Sequence, residues 1–140
     1  MVISYLIWDI VSSVIKKLID HTSKLMYNKG ERMKIYDYMT SGGKNLIRRY
    51  IDSLPLREQV DVYNIRDEIE NNGLDAFEKL NTRQLRGKLW EIKISKTRVM
   101  YVIIDAQSVA FLHICKKQKG RAEKKEIETA VRRARNEHLI

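Results

Sequence analysis

The chain has 140 residues, 44% hydrophobic and 32% charged, with a formal net charge of +9. That balance excludes a disordered chain and supports one modest core, hence a single domain with room for an appendage. The one cysteine, Cys115, has no partner for an internal disulfide and belongs to no metal-ligand spacing, so the chain is expected to occupy a reducing cytoplasm and to need no metal or cofactor. The charge is one-sided: residues 83–140 carry 15 Lys and Arg against 6 Asp and Glu, whereas residues 43–80 carry 6 against 8. A one-sided basic field suits a polyanion, nucleic acid first and anionic membrane second, against the plainer alternative of a solvated basic face.

Residues 1–28 are apolar with a helical period, placing Ile3, Leu6, Ile7, Ile10, Val14 and Leu18 on one stripe. They lack the basic lead and the small-residue cleavage site of a signal peptide. Interrupted by Asp9, the stretch is also too short to span a bilayer. It predicts a helical extension, docked on the domain or lying on a surface. Residues 29–33 (KGERM) are what AAA-GGA-GAA-AGG-ATG encodes, a ribosome-binding site ahead of a start codon. The expectation is therefore that residues 1–32 are an extension of translated upstream sequence and that the domain is 33–140. Gene codons without a GGAG core would refute it.

Residues 34–39 predict a short strand, and Thr40-Ser41-Gly42-Gly43 a turn. Residues 44–54 predict a helix with Leu46, Ile47, Tyr50, Ile51 and Leu54 on one face, stopped by Pro55. Residues 56–72 predict a second helix, with Val60, Tyr63, Ile65 and Ile69 inside, closed by Asn72-Gly73. This αα-hairpin needs a sheet to cover. Residues 74–85 read as a connector with one helical turn at 76–80. Three runs rich in β-branched and aromatic residues follow, at 89–95, 98–105 and 109–115. Their short polar breaks predict a three-stranded antiparallel meander. A basic loop (116–121) leads to a last helix (122–139) with Ile127, Ala130, Val131 and Ala134 on its apolar side. The predicted class is α+β, in the order β-α-α-β-β-β-α.

Residues 85–93 (LRGKLWEIK), then Arg98-Val99-Met100-Tyr101 and Phe111-Leu112-His113, resemble the RelE/HigB toxin superfamily, and within it the phage-derived HigB-like branch. Leu85, Gly87, Leu89, Trp90, Glu91, Ile92 and Lys93 carry the first part of the pattern, with Arg98, Tyr101, Leu112 and His113 on the next strands. Lys116, Lys117 and Lys119, followed by Lys124, Glu126, Ile127, Glu128 and Ala130, carry the rest. The likeness covers about residues 33–135. Lys93 stands where Arg is usual, which gives up a bidentate fork. Ile114-Cys115 replaces a Gly-Phe pair, and Glu123 replaces a Pro. The resemblance implies a small RelE-like fold and the toxin of a type II toxin–antitoxin system. Such a toxin cleaves mRNA in the ribosomal A site and is neutralised by an antitoxin, often a HigA-like helix-turn-helix protein.

Cleaving RNA without a metal uses the 2′-hydroxyl as nucleophile and needs a base, an acid and cations on the developing charge. His113 titrates near neutrality and is the candidate base or acid. Arg98 is the candidate phosphate fork, Lys117 and Lys93 add charge or shuttle a proton, and Tyr101 stacks on a base or orients the 2′-hydroxyl. Arg83, Arg86, Lys88, Lys116, Lys119, Arg121 and Lys124 are candidates for holding ribosomal RNA or mRNA backbone. Bland readings stand beside these. His113 alternates with Phe111 and Cys115, a parity that by itself places it in the core; Tyr101 shares parity with Val99 and Ile103; Arg98 can snorkel from its strand end. Two other functions remain open: a ParE-like toxin that binds DNA gyrase without catalysis, and a phage or plasmid regulator that only binds nucleic acid.

Overall fold

The computed structural model describes residues 10–13 and 32–140. Their elements run β1 (Lys34–Asp37), α1 (Leu46–Ser53), α2 (Leu56–Asn72), α3 (Leu74–Lys79), β2 (Thr82–Arg86), β3 (Leu89–Ile94), β4 (Thr97–Asp105), β5 (Ser108–Lys116) and α4 (Gly120–Asn136). The class is α+β, as the sequence predicts; the helical turn expected at 76–80 is the short helix α3, and β2 is a strand more than predicted. Five strands form a single mixed sheet in the order β1-β5-β4-β3-β2. β2 to β5 are antiparallel, whereas β1 lies parallel to β5. A parallel neighbour needs a long crossover, and the whole helical region between β1 and β2 lets the chain return beside its own first strand.

Local chemistry explains the helical bounds. The Asn45 side chain accepts the Arg48 backbone N–H at 2.9 Å and caps α1. Pro55 then separates α1 from α2. Gly73, at φ 60°, returns its N–H to the Ile69 carbonyl at 2.8 Å and ends α2. The face that α2 buries differs in part from the predicted stripe. Val62, Tyr63 and Ile69 are in the core, Val60 and Ile65 are half-buried, and the polar Gln59 and Arg66 are buried instead.

The sheet separates two cores. On one face α1 and α2 lay Ile47, Ile51, Val62 and Ile69 over Ile92, Val99, Val109 and Phe111. On the other, α4 lays Ala130, Val131 and Ala134 over Leu89, Met100, Val102 and Leu112. The alanines leave room for the helix to sit close, and burying both faces supplies the main stabilisation at roughly 25 cal/mol per Å² of apolar surface. A β-bulge in β5 changes which side chains meet α4. Met100 pairs with His113 but Tyr101 pairs with Phe111, so Leu112 is the extra residue. Leu112 and His113 therefore both face α4, and the predicted parity of His113 with Phe111 is broken.

Most of the predicted N-terminal helix falls outside the described residues. Residues 10–13 are helical, and the buried Ser12 donates its hydroxyl to both oxygens of Asp67 on α2, at 2.8 and 2.7 Å. Among the described residues no helix is long and apolar enough to cross a membrane.

Candidate functional site

The α4-facing side of the sheet gathers charge because strand alternation and register put it there. Arg83 pairs with Glu91, Glu91 with Met100, and Lys93 with Arg98, which pairs in turn with Cys115. With Lys116 and Lys117 at the end of β5, and Glu123 and Glu126 on α4, these residues line a cleft of about 80 Å³. The structure thus brings Lys93, Arg98 and Lys117 together around one cleft.

Each cation is held differently. Arg83 donates Nε to Glu91 at 2.9 Å and Nη2 to Glu123 at 2.7 Å, tying β2 and β3 to α4. The bond to Glu123 is the main cause that raises the Arg83 guanidinium above its ordinary value. Arg98 donates Nη1 to the carbonyls of Ser95 (2.7 Å) and Thr97 (3.0 Å), and its Nε lies 3.8 Å from Glu91. Ser95, at φ 54° in the β3–β4 turn, supplies the nearer of these carbonyls.

His113 sits behind the cleft wall, under α4. Its Nε2 meets Oε2 of Glu126, and its Nδ1 lies 3.0 Å from Nη1 of Arg133. Arg133 also donates to the Leu112 carbonyl at 2.9 Å and stacks over Tyr38 at 4.6 Å. Burial pushes the His113 imidazole below its ordinary value, opposed by the Glu126 carboxylate. Burial likewise lowers Arg133. Cys115 is pushed up to about 12, first by burial and then by Glu126, so it stays a thiol and packs as a small apolar side chain.

His113, Cys115 and Glu126 bring ligand-type atoms within 4.8 Å of one another. They fit a metal poorly. An imidazole that binds through Nε2 carries its proton on Nδ1, and here that proton would face the Arg133 N–H. Deprotonating Cys115 would add a further cost.

Tyr101 belongs elsewhere. It lies on the opposite face of the sheet, 2% exposed and stacked on Phe77 with centroids 4.9 Å apart, and burial pushes its hydroxyl up to about 12. The stacking or orienting role expected of it fails because β4 alternation points it into the α1–α2 core. Tyr101→Phe is expected to cost about 1 kcal/mol, the net worth of its hydrogen bond with Thr82. Urea unfolding measures that cost, and any RNA-directed activity should be retained.

The candidate RNA-holding residues split into two groups. Lys116, Lys119, Arg121 and Lys124 are exposed along the β5–α4 connection and the first turn of α4. Arg86 lies apart, in a groove of about 370 Å³ with Arg132 and Arg135, and Lys88 is exposed on the β2–β3 turn. Sequence reasoning missed two members of the site, Glu126 as a site residue and Arg133. A signal existed, because Glu126, Ala130 and Arg133 fall at i, i+4 and i+7 on one helix face.

Residues 49–135 match a family model described as phage derived protein Gp49-like, a span that holds every member of the cleft. The archaeal RelE–RelB complex from Pyrococcus horikoshii OT3 contains a chain similar to this one at 19% identity and a TM-score of 0.47, over 64% of this chain and 98% of that one. No curated protein matches the chain.

Proposed function

The chain belongs to the phage-derived Gp49-like family, a RelE-like toxin family, and on that premise we propose that it cleaves ribosome-bound mRNA without a metal, as the toxin of a type II toxin–antitoxin pair. One observation carries the reading. Lys93, Arg98 and Lys117 line one cleft, with the His113–Glu126 pair at its wall. The cations offset the charge that develops on phosphorus, and the pair supplies a route for proton transfer. The 2′-oxygen bonds to phosphorus and the bond to the 5′-oxygen breaks, leaving a 2′,3′-cyclic phosphate and a 5′-hydroxyl. The Lys117 ammonium protonates the departing 5′-oxygen.

Lys116, Lys119, Arg121 and Lys124 hold the backbone of ribosomal RNA or mRNA near the cleft, while Arg83 braces its wall. Arg86 and Lys88 hold phosphates farther along. Membership in the family also supports a cognate antitoxin, which we take to be a HigA-like helix-turn-helix protein, and because β1 (Lys34–Asp37) already joins the sheet we take residues 33–140 as the toxin domain behind the extension 1–32.

Inducing the full chain in a bacterium and mapping mRNA 5′ ends tests the proposal. Codon-phased new ends are expected, and Arg98→Ala should lower their yield about 100-fold or more. Intact mRNA accompanied by supercoiling defects would overturn the proposal in favour of gyrase binding.

A further inference from the structure

His113 is the obvious proton acceptor by residue type, but its bonds inside the protein leave it nothing to accept with. Arg133 donates from Nη1 both to the Leu112 carbonyl at 2.9 Å and to Nδ1 of His113 at 3.0 Å. A ring nitrogen that accepts carries no proton, so the neutral imidazole holds its proton on Nε2. Nε2 directs that proton at Oε2 of Glu126. Both nitrogens are thereby engaged, and only 14% of the His113 side chain is exposed. No imidazole lone pair faces the cleft.

Glu126 is placed the other way. Its side chain is 30% exposed, and it lines the cleft with Lys93, Arg98 and Lys117. A carboxylate has about four acceptor positions, so bonds from His113 and the Cys115 thiol leave capacity for a substrate hydroxyl. We propose that Glu126 is the catalytic residue that takes the 2′-hydroxyl proton, and that His113 and Arg133 are positioning residues that aim its carboxylate. This assignment rests on the RNA-cleavage reading above.

The step balances without a further reactant. The O2′–H bond breaks and its proton passes to the Glu126 carboxylate as O2′ bonds to phosphorus. The P–O5′ bond breaks as Lys117 gives a proton to O5′. Water exchange afterwards returns Glu126 and Lys117 to their starting forms. Arg133 acts through a chain of two bonds, fixing which ring nitrogen of His113 is protonated and hence which one can donate to the carboxylate.

Several charged or titratable groups surround Glu126. From the sheet these are His113 and Cys115 on β5, Arg98 on β4, and Glu91 and Lys93 on β3. Glu123 and Arg133 share α4 with it, and Lys117 follows β5. From α1, Tyr50 is raised by burial first and then by the charges of Cys115 and Glu126.

The test is single-turnover cleavage of ribosome-bound mRNA by the full chain across a pH series. In wild type a limb of rate rising with pH is expected, as general-base catalysis requires. Glu126→Gln keeps the shape, and should lower the rate 100-fold or more and abolish that rising limb. His113→Leu loosens the aim of the carboxylate but leaves it in the cleft, so the limb should persist with a smaller loss of rate. The reverse pattern, with the limb lost in His113→Leu and kept in Glu126→Gln, overturns the assignment and makes His113 the base. A Glu126→Gln variant as active as wild type overturns the assignment alone. A wild-type chain inert toward ribosome-bound mRNA overturns the functional reading and the assignment with it. Long-range nitrogen NMR gives a readout that does not depend on activity: His113 protonated on Nε2 supports the arrangement, and on Nδ1 refutes it.

Discussion

Replacing Arg66 by methionine is expected to cost about 3–5 kcal/mol of folding stability, because it strands a carboxylate in the interior. Arg66 is 5% exposed on α2 and donates two parallel bonds to Asp37 of β1, at 2.6 and 3.0 Å. Asn45 adds a third donor to the same carboxylate at 3.1 Å, and Arg48 lies 3.8 Å away. With Arg66 gone, Asn45 and a more distant, more exposed cation are what Asp37 keeps. The pair also ties α2 to β1, which among the described residues joins the sheet through β5 alone. Urea unfolding followed by circular dichroism measures the loss. A second variant separates pairing from burial: Asp37→Leu with Arg66→Met removes both charges and should recover much of the stability. Recovery of less than about 1 kcal/mol would show that the guanidinium matters for packing rather than for neutralising Asp37.

Phe111→Ala is expected to cost a similar amount, about 3–5 kcal/mol, through a cavity at the centre of the larger core. Phe111 is 1% exposed and heads the largest fully buried side chains. Its ring lies 5.3 Å beneath the Arg66 guanidinium. Combining Phe111→Ala with Arg66→Met should therefore cost less than the two losses added, because the variants share a contact. Full additivity in the double-mutant cycle would show that the cation–π contact contributes nothing measurable.

Much of this fold was legible in the chain. Pro55 and Asn72-Gly73 punctuate α2 so clearly that the predicted bounds and the observed Leu56–Asn72 coincide. The three meander strands stand within a residue or so of their predicted ends, because their breaks are short and polar. β2 was hidden because TRQLR carries two arginines and one β-branched residue, and forms a strand only by pairing with β3. The motif read as one run, 85–93, is split by a turn in which Gly87 adopts φ 54°, a conformation that favours glycine.

The site was legible only from its sheet side. Lys93, Arg98 and Lys117 could be placed together from strand register, since their spacing along the hairpins is fixed. His113 could not be oriented, because one extra residue at Leu112 reverses the alternation on which that inference depends. Glu126 and Arg133 approach from a helix 13 and 20 residues farther along the chain. Which face of that helix meets the sheet is a matter of tertiary packing, set by Ala130, Val131 and Ala134 rather than by any local pattern around the imidazole.

The margins of the sheet bear on how copies of this chain treat one another. β1 offers four residues, two of them Lys34 and Asp37, and β2 offers five, with Arg83 and Arg86 on a strand whose register slips between Gln84 and Arg86. Among the described residues neither rim presents a long, flat row of unpaired amides, and each sets charge where a second copy would try to zip alongside. These two rims should therefore not seed fibrous aggregates at high expression, even though the five described strands run through the middle of the domain.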